Sequence, residues 1–205
     1  KAVRIALPVA MQGMLNTIVN LVDTMMIGAL GATAIAAVGL ANKVFFVFTL
    51  LVFGIVSGSG VLAAQYWGNG DIKNIKKVVG LALTLAVAAS IAFLVPAVVC
   101  PEAVMRIFTA SEDAIQVGAG YLTIVALSYP ATAVSNTFVA MLRATGRVKA
   151  PVVISSCTIF INIFFNYTFI YGNFGAPAMG AAGAALATLM ARLAEALSII
   201  LVVYL

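Results

Sequence analysis

Residues 78–99, VVGLALTLAVAASIAFLVPAVV, form an unbroken apolar run that contains no charged side chain. A helix needs about 20 mostly apolar residues to cross the hydrocarbon core of a bilayer, and this run is long enough. The whole chain has the same character, since 64% of its 205 residues are hydrophobic and only 8% are charged. A soluble domain is about half apolar and about one quarter charged, so the solvent of this chain is predicted to be lipid. The apolar runs therefore predict an all-α integral membrane protein.

Six runs of this kind follow one another, and they predict a single bundle of six transmembrane helices over residues 1–205. The second run is too long for a perpendicular crossing, so it is expected to tilt or to extend beyond the membrane. Pro130 lies well inside the fourth run, where it should break a backbone hydrogen bond and permit a kink. The predicted spans are residues 5–27, 36–66, 75–99, 114–141, 151–171 and 180–205.

The basic residues are concentrated in alternate connectors. Eight of the eleven lie before the first span, between the second and third spans, or between the fourth and fifth. Connectors rich in Lys and Arg stay on the cytoplasmic side, so both termini are predicted to be cytoplasmic. The eight residues are Lys1, Arg4, Lys73, Lys76, Lys77, Arg143, Arg147 and Lys149.

The composition also excludes several classes of function. The net charge of +5 is spread thinly between apolar runs, which indicates topology signals rather than a surface for nucleic acid. The chain contains no histidine, which excludes His-dependent hydrolases, most zinc sites and haem ligation. We also expect no enzyme activity and no cofactor. Cys100 and Cys157 fall in opposite leaflets of the predicted spans, so they are expected to be inert core thiols rather than a disulfide.

The first span carries one ionisable side chain at membrane depth. Asp23 follows Gln12, Asn16 and Asn20. At about 100° per residue, the four side chains fall within roughly 80° of one another. An ionisable group inside the bilayer is costly and indicates a functional site, so this polar stripe is predicted to face other helices or a water-filled cavity. The alternative is that Asp23 lies close to the outer surface and is simply hydrated.

The fifth and sixth spans add polar groups that can reach the same depth. Asn162 and Asn166 lie one helical turn apart, and Thr188 lies on the following helix. At about 1.5 Å per residue, these side chains and Asp23 reach the middle or outer half of the membrane and can meet. Their oxygens suit a hard cation such as Na⁺, and the carboxylate can alternatively carry a proton. The alternative is that the amides and the hydroxyl only join helices through hydrogen bonds.

Two further charged sites fall within the spans. Arg192 and Glu195 lie three residues apart on the sixth span and are expected to neutralise each other, in preference to a direct role in transport. Lys43 lies in the outer part of the second span and is expected to reach towards the surface rather than into a cavity.

The chain resembles the multidrug and toxic compound extrusion (MATE) family, in the bacterial branch often typified by sodium-coupled exporters. Five stretches match in family order and cover essentially the whole chain. These stretches are LVDTMMIGALGATAIAAVGLANKVFF (21–46), AAQYWGNGD (63–71), LRATGRVKAPV (142–152), NIFFNY (162–167) and GAAGAALATLMAR (180–192).

The resemblance implies a fold and a mechanism. Family members look like two similar six-helix bundles that exchange drugs outward for Na⁺ or H⁺ moving inward, and this sequence matches only the first bundle. The resemblance implies that Asp23 is the carboxylate that couples cation to drug, and that Asn162, Asn166 and Thr188 complete a cation site that can hold Na⁺. Some relatives carry Asp at the position of Asn166, so this chain has one carboxylate fewer than a two-carboxylate proton relay needs.

The expected function is a cation-coupled (Na⁺ or H⁺) multidrug antiporter that exports amphiphilic, often cationic compounds by alternating access. The expected location is the bacterial cytoplasmic (inner) membrane. The expected partners are small-molecule drugs or toxins, membrane lipids, and a C-terminal six-helix half or a second copy that completes the transporter. The open alternatives are a flippase for lipid-linked oligosaccharides of the same superfamily, a passive channel and, least favoured, an intramembrane hydrolase.

Overall fold

The computed structural model describes residues 13–14, 17–18 and 21–204, and every regular element among them is helical. The first helix, α1, is described over residues 13–14, 17–18 and 21–28. This all-helical, apolar architecture confirms the predicted class of all-α integral membrane protein. The remaining helices are α2 (Ala32–Gly68), α3 (Ile72–Val99), α4 (Pro101–Arg106), α5 (Glu112–Ala126), α6 (Tyr129–Ala144), α7 (Lys149–Tyr171) and α8 (Ala181–Tyr204).

Four of the described helices, α2, α3, α7 and α8, are each long and apolar enough to cross a membrane. The pair α5 and α6 makes a fifth crossing if the two are counted as one span, with a bend of 49° between them. Pro130 lies in the first turn of α6, immediately after this bend, which confirms the predicted kink. The predicted first span, residues 5–27, falls partly outside the described residues.

Local sequence signals explain where the helices begin and end. The Asp71 side chain accepts a hydrogen bond from the backbone N–H of Asn74 at 3.1 Å and so caps the start of α3. Gly172 ends α7 in the left-handed conformation, with a φ of 77° that glycine adopts without a steric penalty. The short helix α4, with Pro101 at its start, lies in a connector for which no helix had been predicted.

Small residues bring the helices of the bundle close together. Helix α2 packs against α3, α5 and α6, and α8 packs against α5, α6 and α7. Ala37 and Ala41 of α2 are fully buried, and a Cβ atom added at Gly118 of α5 would overlap the Met105 side chain. A Cβ atom added at Gly183 of α8 would likewise overlap the carbonyl oxygen of Phe169 on α7. Close backbone approach at small residues is typical of helix packing in membranes.

Helix α1 lies against α7. The Tyr171 hydroxyl donates to the carbonyl oxygen of Met26 at 3.2 Å, and Ile27 is buried. This arrangement leaves a cavity between α1, α2, α5, α7 and α8.

The two cysteines are free, as predicted, but both are exposed. The expectation of core thiols is therefore wrong. An apolar stretch of a membrane helix can face either lipid or its neighbours, and hydropathy does not distinguish the two faces.

Candidate functional site

The cavity has a volume of about 520 Å³ and is lined by five helices. One wall is largely apolar and comes from α2, where Val38, Phe45 and Phe46 face the space. Another wall comes from α7 and α8 and carries polar side chains at helical spacing, which are Ser155, Thr158, Asn162 and Asn166 on α7 and Thr188, Arg192 and Glu195 on α8. A mostly apolar pocket with a few converging polar groups is typical of a site for small amphiphilic molecules.

One end of the polar wall holds a group of amides around a carboxylate. The Asn166 side chain donates from Nδ2 to the Asp23 carboxylate at 2.5 Å and to Asn162 Oδ1 at 3.2 Å. Asn162 and Asn166 are both buried, and Asp23 is half-buried. The structure therefore brings together three of the side chains that the sequence predicted to meet. The half-buried position in the cavity wall also argues against a simply hydrated Asp23 at the outer surface.

The oxygens of this group are only partly engaged. Asn166 Oδ1 is buried and has no hydrogen-bond partner among the described residues. The fourth predicted residue, Thr188, lines the same cavity and donates its hydroxyl proton to the Ala184 carbonyl oxygen at 3.0 Å. That bond uses the proton of Thr188 and leaves its oxygen lone pairs available as acceptors.

The stripe predicted to support Asp23 on α1 cannot be placed. Gln12, Asn16 and Asn20 lie outside the described residues, and their contribution to the site stays a prediction.

A second polar group lies further along the wall. Arg192 donates from Nη1 to Glu195 Oε2 at 2.9 Å, which confirms the predicted pairing. Ser155 on α7 donates to Glu195 Oε1 at 2.9 Å, a contact that sequence reasoning missed. Glu195 is buried, whereas the Arg192 side chain remains 40% exposed and lines the cavity.

Sequence reasoning also missed a polar pair that lines the cavity from α2 and α5. The Tyr121 hydroxyl donates to Asn42 Oδ1 at 3.4 Å, and both residues line the space. An amide inside the second predicted span was the signal that would have identified Asn42. Its neighbour Lys43 is exposed and does not line the cavity, in agreement with the prediction for that residue.

The kind of ion that suits the site depends on its oxygen ligands. Residues 13–14, 17–18 and 21–204 contain no cluster of three His, Cys, Asp or Glu side chains that could hold a metal ion. The group around Asp23 instead offers one carboxylate and several neutral oxygens. Such a set can hold either a hard monovalent cation or a proton on the carboxylate.

The sequence profile of the MatE family matches residues 8–168. The chain belongs to the MatE family. Curated relatives include the probable multidrug resistance protein NorM of Thermotoga maritima, which is 30% identical over 93% of this chain and 41% of its own length. Another is the probable multidrug resistance protein YoeA of Bacillus subtilis, 31% identical over 97% of this chain and 42% of its own length.

Solved structures show the same fold. A multidrug resistance MATE family transporter in an outward-facing conformation superposes with a TM-score of 0.89 at 23% identity, over 99% of this chain and 44% of its own. A MOP superfamily transporter from Pyrococcus furiosus gives the same TM-score, identity and coverage. MATE proteins are transporters rather than enzymes, which confirms the predictions of family and of no enzyme activity. The MatE chain described here spans less than half the length of these relatives.

Proposed function

We propose that this MatE chain forms one lobe of a cation-coupled multidrug antiporter that exports amphiphilic compounds by alternating access. The observation that carries the proposal is the Asp23–Asn166–Asn162 group in the wall of a cavity of about 520 Å³. An ionisable side chain at membrane depth that faces a cavity is typical of a transport pathway. The relatives named as multidrug resistance proteins support drugs or toxins as the cargo.

Asp23 can couple the two substrates by competition. The carboxylate pairs either with the coupling cation, assisted by the oxygens of Asn162, Asn166 and Thr188, or with the positive charge of a drug. If binding of one weakens binding of the other, linkage requires the reverse effect to be equally large. A cation gradient directed inward can then displace the drug outward.

The charge of the cavity favours cationic cargo. The charged side chains among its described lining residues are Asp23, Glu195 and Arg192, so two negative charges and one positive charge leave a net charge of −1. One monovalent cation or one singly charged drug neutralises this space. A pyrophosphate-linked lipid would add negative charge to it, so the flippase alternative is less well supported.

The coupling ion is proposed to be either Na⁺ or H⁺ acting at Asp23. Asn166 cannot ionise, so Asp23 is the one group of this cluster that changes charge. Asn166 Oδ1 accepts no hydrogen bond from any residue that the structure describes, and this supports Na⁺, because the atom offers a neutral oxygen ligand beside the carboxylate. A proton on Asp23 needs no such ligand.

A complete transporter requires a second lobe. The chain covers 41% and 42% of the two curated relatives, so we propose that another six-helix half, or a second copy in parallel orientation, faces this cavity. The assembly is proposed to lie in the bacterial cytoplasmic membrane. The Lys- and Arg-rich ends of α3 and α6 then lie on the cytoplasmic side.

The test is drug efflux from proteoliposomes that carry the full transporter, with Na⁺ and pH gradients imposed separately. Asp23→Asn keeps the shape of the side chain and removes its charge, so gradient-driven efflux should fall to background. Asp113→Asn makes the same chemical change at an exposed site outside the cavity and should leave efflux intact. Undiminished efflux by Asp23→Asn would contradict the proposal, and conductance that needs no counter-ion would indicate a passive channel instead.

A further inference from the structure

The Arg192–Glu195 pair shares a cavity with Asp23. Thr188, Arg192 and Glu195 all line the space from α8, and Arg192 lies one turn, about 6 Å, along the helix from Thr188. Asp23 lines the same cavity from α1, so the guanidinium and this carboxylate border one common space. Three ionisable groups therefore form one electrostatic system, although they belong to two separate hydrogen-bonded groups.

The two partners of the pair are held very differently. Glu195 is buried and receives hydrogen bonds on both carboxylate oxygens, from Ser155 and from Arg192, each at 2.9 Å. Arg192 is 40% exposed and makes one hydrogen bond, through Nη1, to a described residue. A guanidinium carries five N–H donors on a long flexible stem. Arg192 is thus the part of the pair that is free to move, and Glu195 is its fixed anchor.

An empty coupling site poses an electrostatic problem. When the cation or drug leaves, Asp23 remains as a carboxylate at membrane depth with one amide donor from Asn166 among the described contacts. An uncompensated charge there is expensive. A cationic side chain from the same cavity wall relieves that cost without any ion from solution.

We propose that Arg192 is an internal counter-cation that exchanges between Glu195 and Asp23, and so competes with the coupling cation and the drug. This inference rests on the proposed role of Asp23 as the cation-binding carboxylate. Glu195, held by Ser155, sets how strongly Arg192 competes. When a cation occupies Asp23, Arg192 pairs with Glu195, and when it leaves, Arg192 moves towards Asp23. Arg192 is a positioning residue in this scheme and need not touch the cargo.

The decisive variant removes both charges of the pair. Arg192→Gln alone leaves Glu195 buried without its partner, which endangers folding, whereas R192Q/E195Q leaves two neutral amides. The opposite charges of a static ion pair nearly cancel at Asp23, so removing both of them would leave the affinity of the site for cations unchanged. An exchanging Arg192 is a competitor, so its removal should tighten cation binding by about five- to tenfold.

Two further variants separate exchange from a structural effect. Ser155→Ala alters no charge but loosens the anchor of Glu195, so Arg192 should compete more strongly and cation binding should weaken by about two- to threefold. Arg192→Lys keeps the positive charge and should retain an affinity close to that of the unaltered chain.

The measurement is equilibrium binding of tetraphenylphosphonium, a permanently charged monovalent probe, to the full chain in nanodiscs in sodium-free buffer. The inference is supported if R192Q/E195Q binds more tightly and Ser155→Ala more weakly. It is overturned if the double variant binds with unchanged or lower affinity, or if Ser155→Ala has no effect. Asp23→Asn separates the two proposals. If this variant binds the probe as well as the unaltered chain does, the Asp23 site itself is refuted. If it loses binding, the Asp23 site stands, and the other variants then test the exchange of Arg192 alone.

Discussion

The packing of α8 on α7 predicts that Gly183→Ala destabilises the bundle. A Cβ atom at this position would overlap the carbonyl oxygen of Phe169. The same oxygen accepts a hydrogen bond from the backbone N–H of Met179 at 2.9 Å, so it cannot move aside without straining that contact. The two helices must therefore separate to admit the methyl group.

The expected cost follows from the rigidity of the obstacle. Overpacking a well-packed interior costs about 1–3 kcal/mol, and a backbone atom yields less readily than the end of a flexible side chain. For a chain of this length, each kcal/mol corresponds to about 2–4 °C, so the melting temperature should fall by about 2–12 °C. Cation affinity should fall as well, because Asn166 on α7 and Thr188 on α8 line the cavity from the two helices that separate.

The assay is thermal unfolding of the purified protein in detergent, followed by binding of a cationic probe at a temperature where the variant is folded. Gly54→Ala is the matched control, because a Cβ atom there meets nothing within 4 Å. That control should be neutral or slightly stabilising, since Ala favours a helix over Gly by up to about 1 kcal/mol. Equal melting temperatures for the two variants would refute the close-packing argument.

Three further outcomes are expected. Tyr129→Phe should not lower the melting temperature, because the buried hydroxyl has no partner among the described residues. Tyr129→Ala should lower the free energy of unfolding by about 3–5 kcal/mol, because it removes a ring stacked on Phe48 at a centroid distance of 4.7 Å. In a background without native cysteines, Lys73→Cys and Arg147→Cys should react with membrane-impermeant thiol reagents only from the cytoplasmic side, and Phe174→Cys only from the outer side. Labelling of positions 73 and 174 from the same side would contradict the predicted number of spans between them. The 205-residue chain alone should be inactive as a monomer. The test is to determine the mass of the particle in nanodiscs and to measure antiport by the same preparation, and robust antiport by a proven monomer would exclude the need for a second lobe.

The kink at Pro130 illustrates a feature that is predictable from local sequence. Proline lacks a backbone N–H and tends to clash with the preceding turn, so the residue itself indicated a bend between α5 and α6. The helix α4 illustrates the opposite case. It begins at Pro101 in a connector with several charges, and this short helix packs against α5 through Met105, which is fully buried. That contact is tertiary, and hydropathy did not indicate it.

The candidate site likewise contains one group that was predictable from local sequence and one contact that was not. The group of Asp23, Asn162 and Asn166 was predictable, because each is a polar residue in an apolar run and their depths follow from helical rise. The hydrogen bond from Ser155 to Glu195 joins residues 40 positions apart, and serine is common enough in membrane helices that its presence identified no partner.

The sequence by itself determined that the chain crosses a membrane as helices, since lipid acts on every run of about 20 residues independently of the rest of the fold. It also determined the family, through stretches that match in order. Only the tertiary structure decided which polar faces share one cavity, that Arg192 and Asp23 both line it, and that both cysteines are exposed. The physical reason is that rotation and spacing of neighbouring helices depend on close contacts such as Gly183 against Phe169, which join residues far apart in the chain.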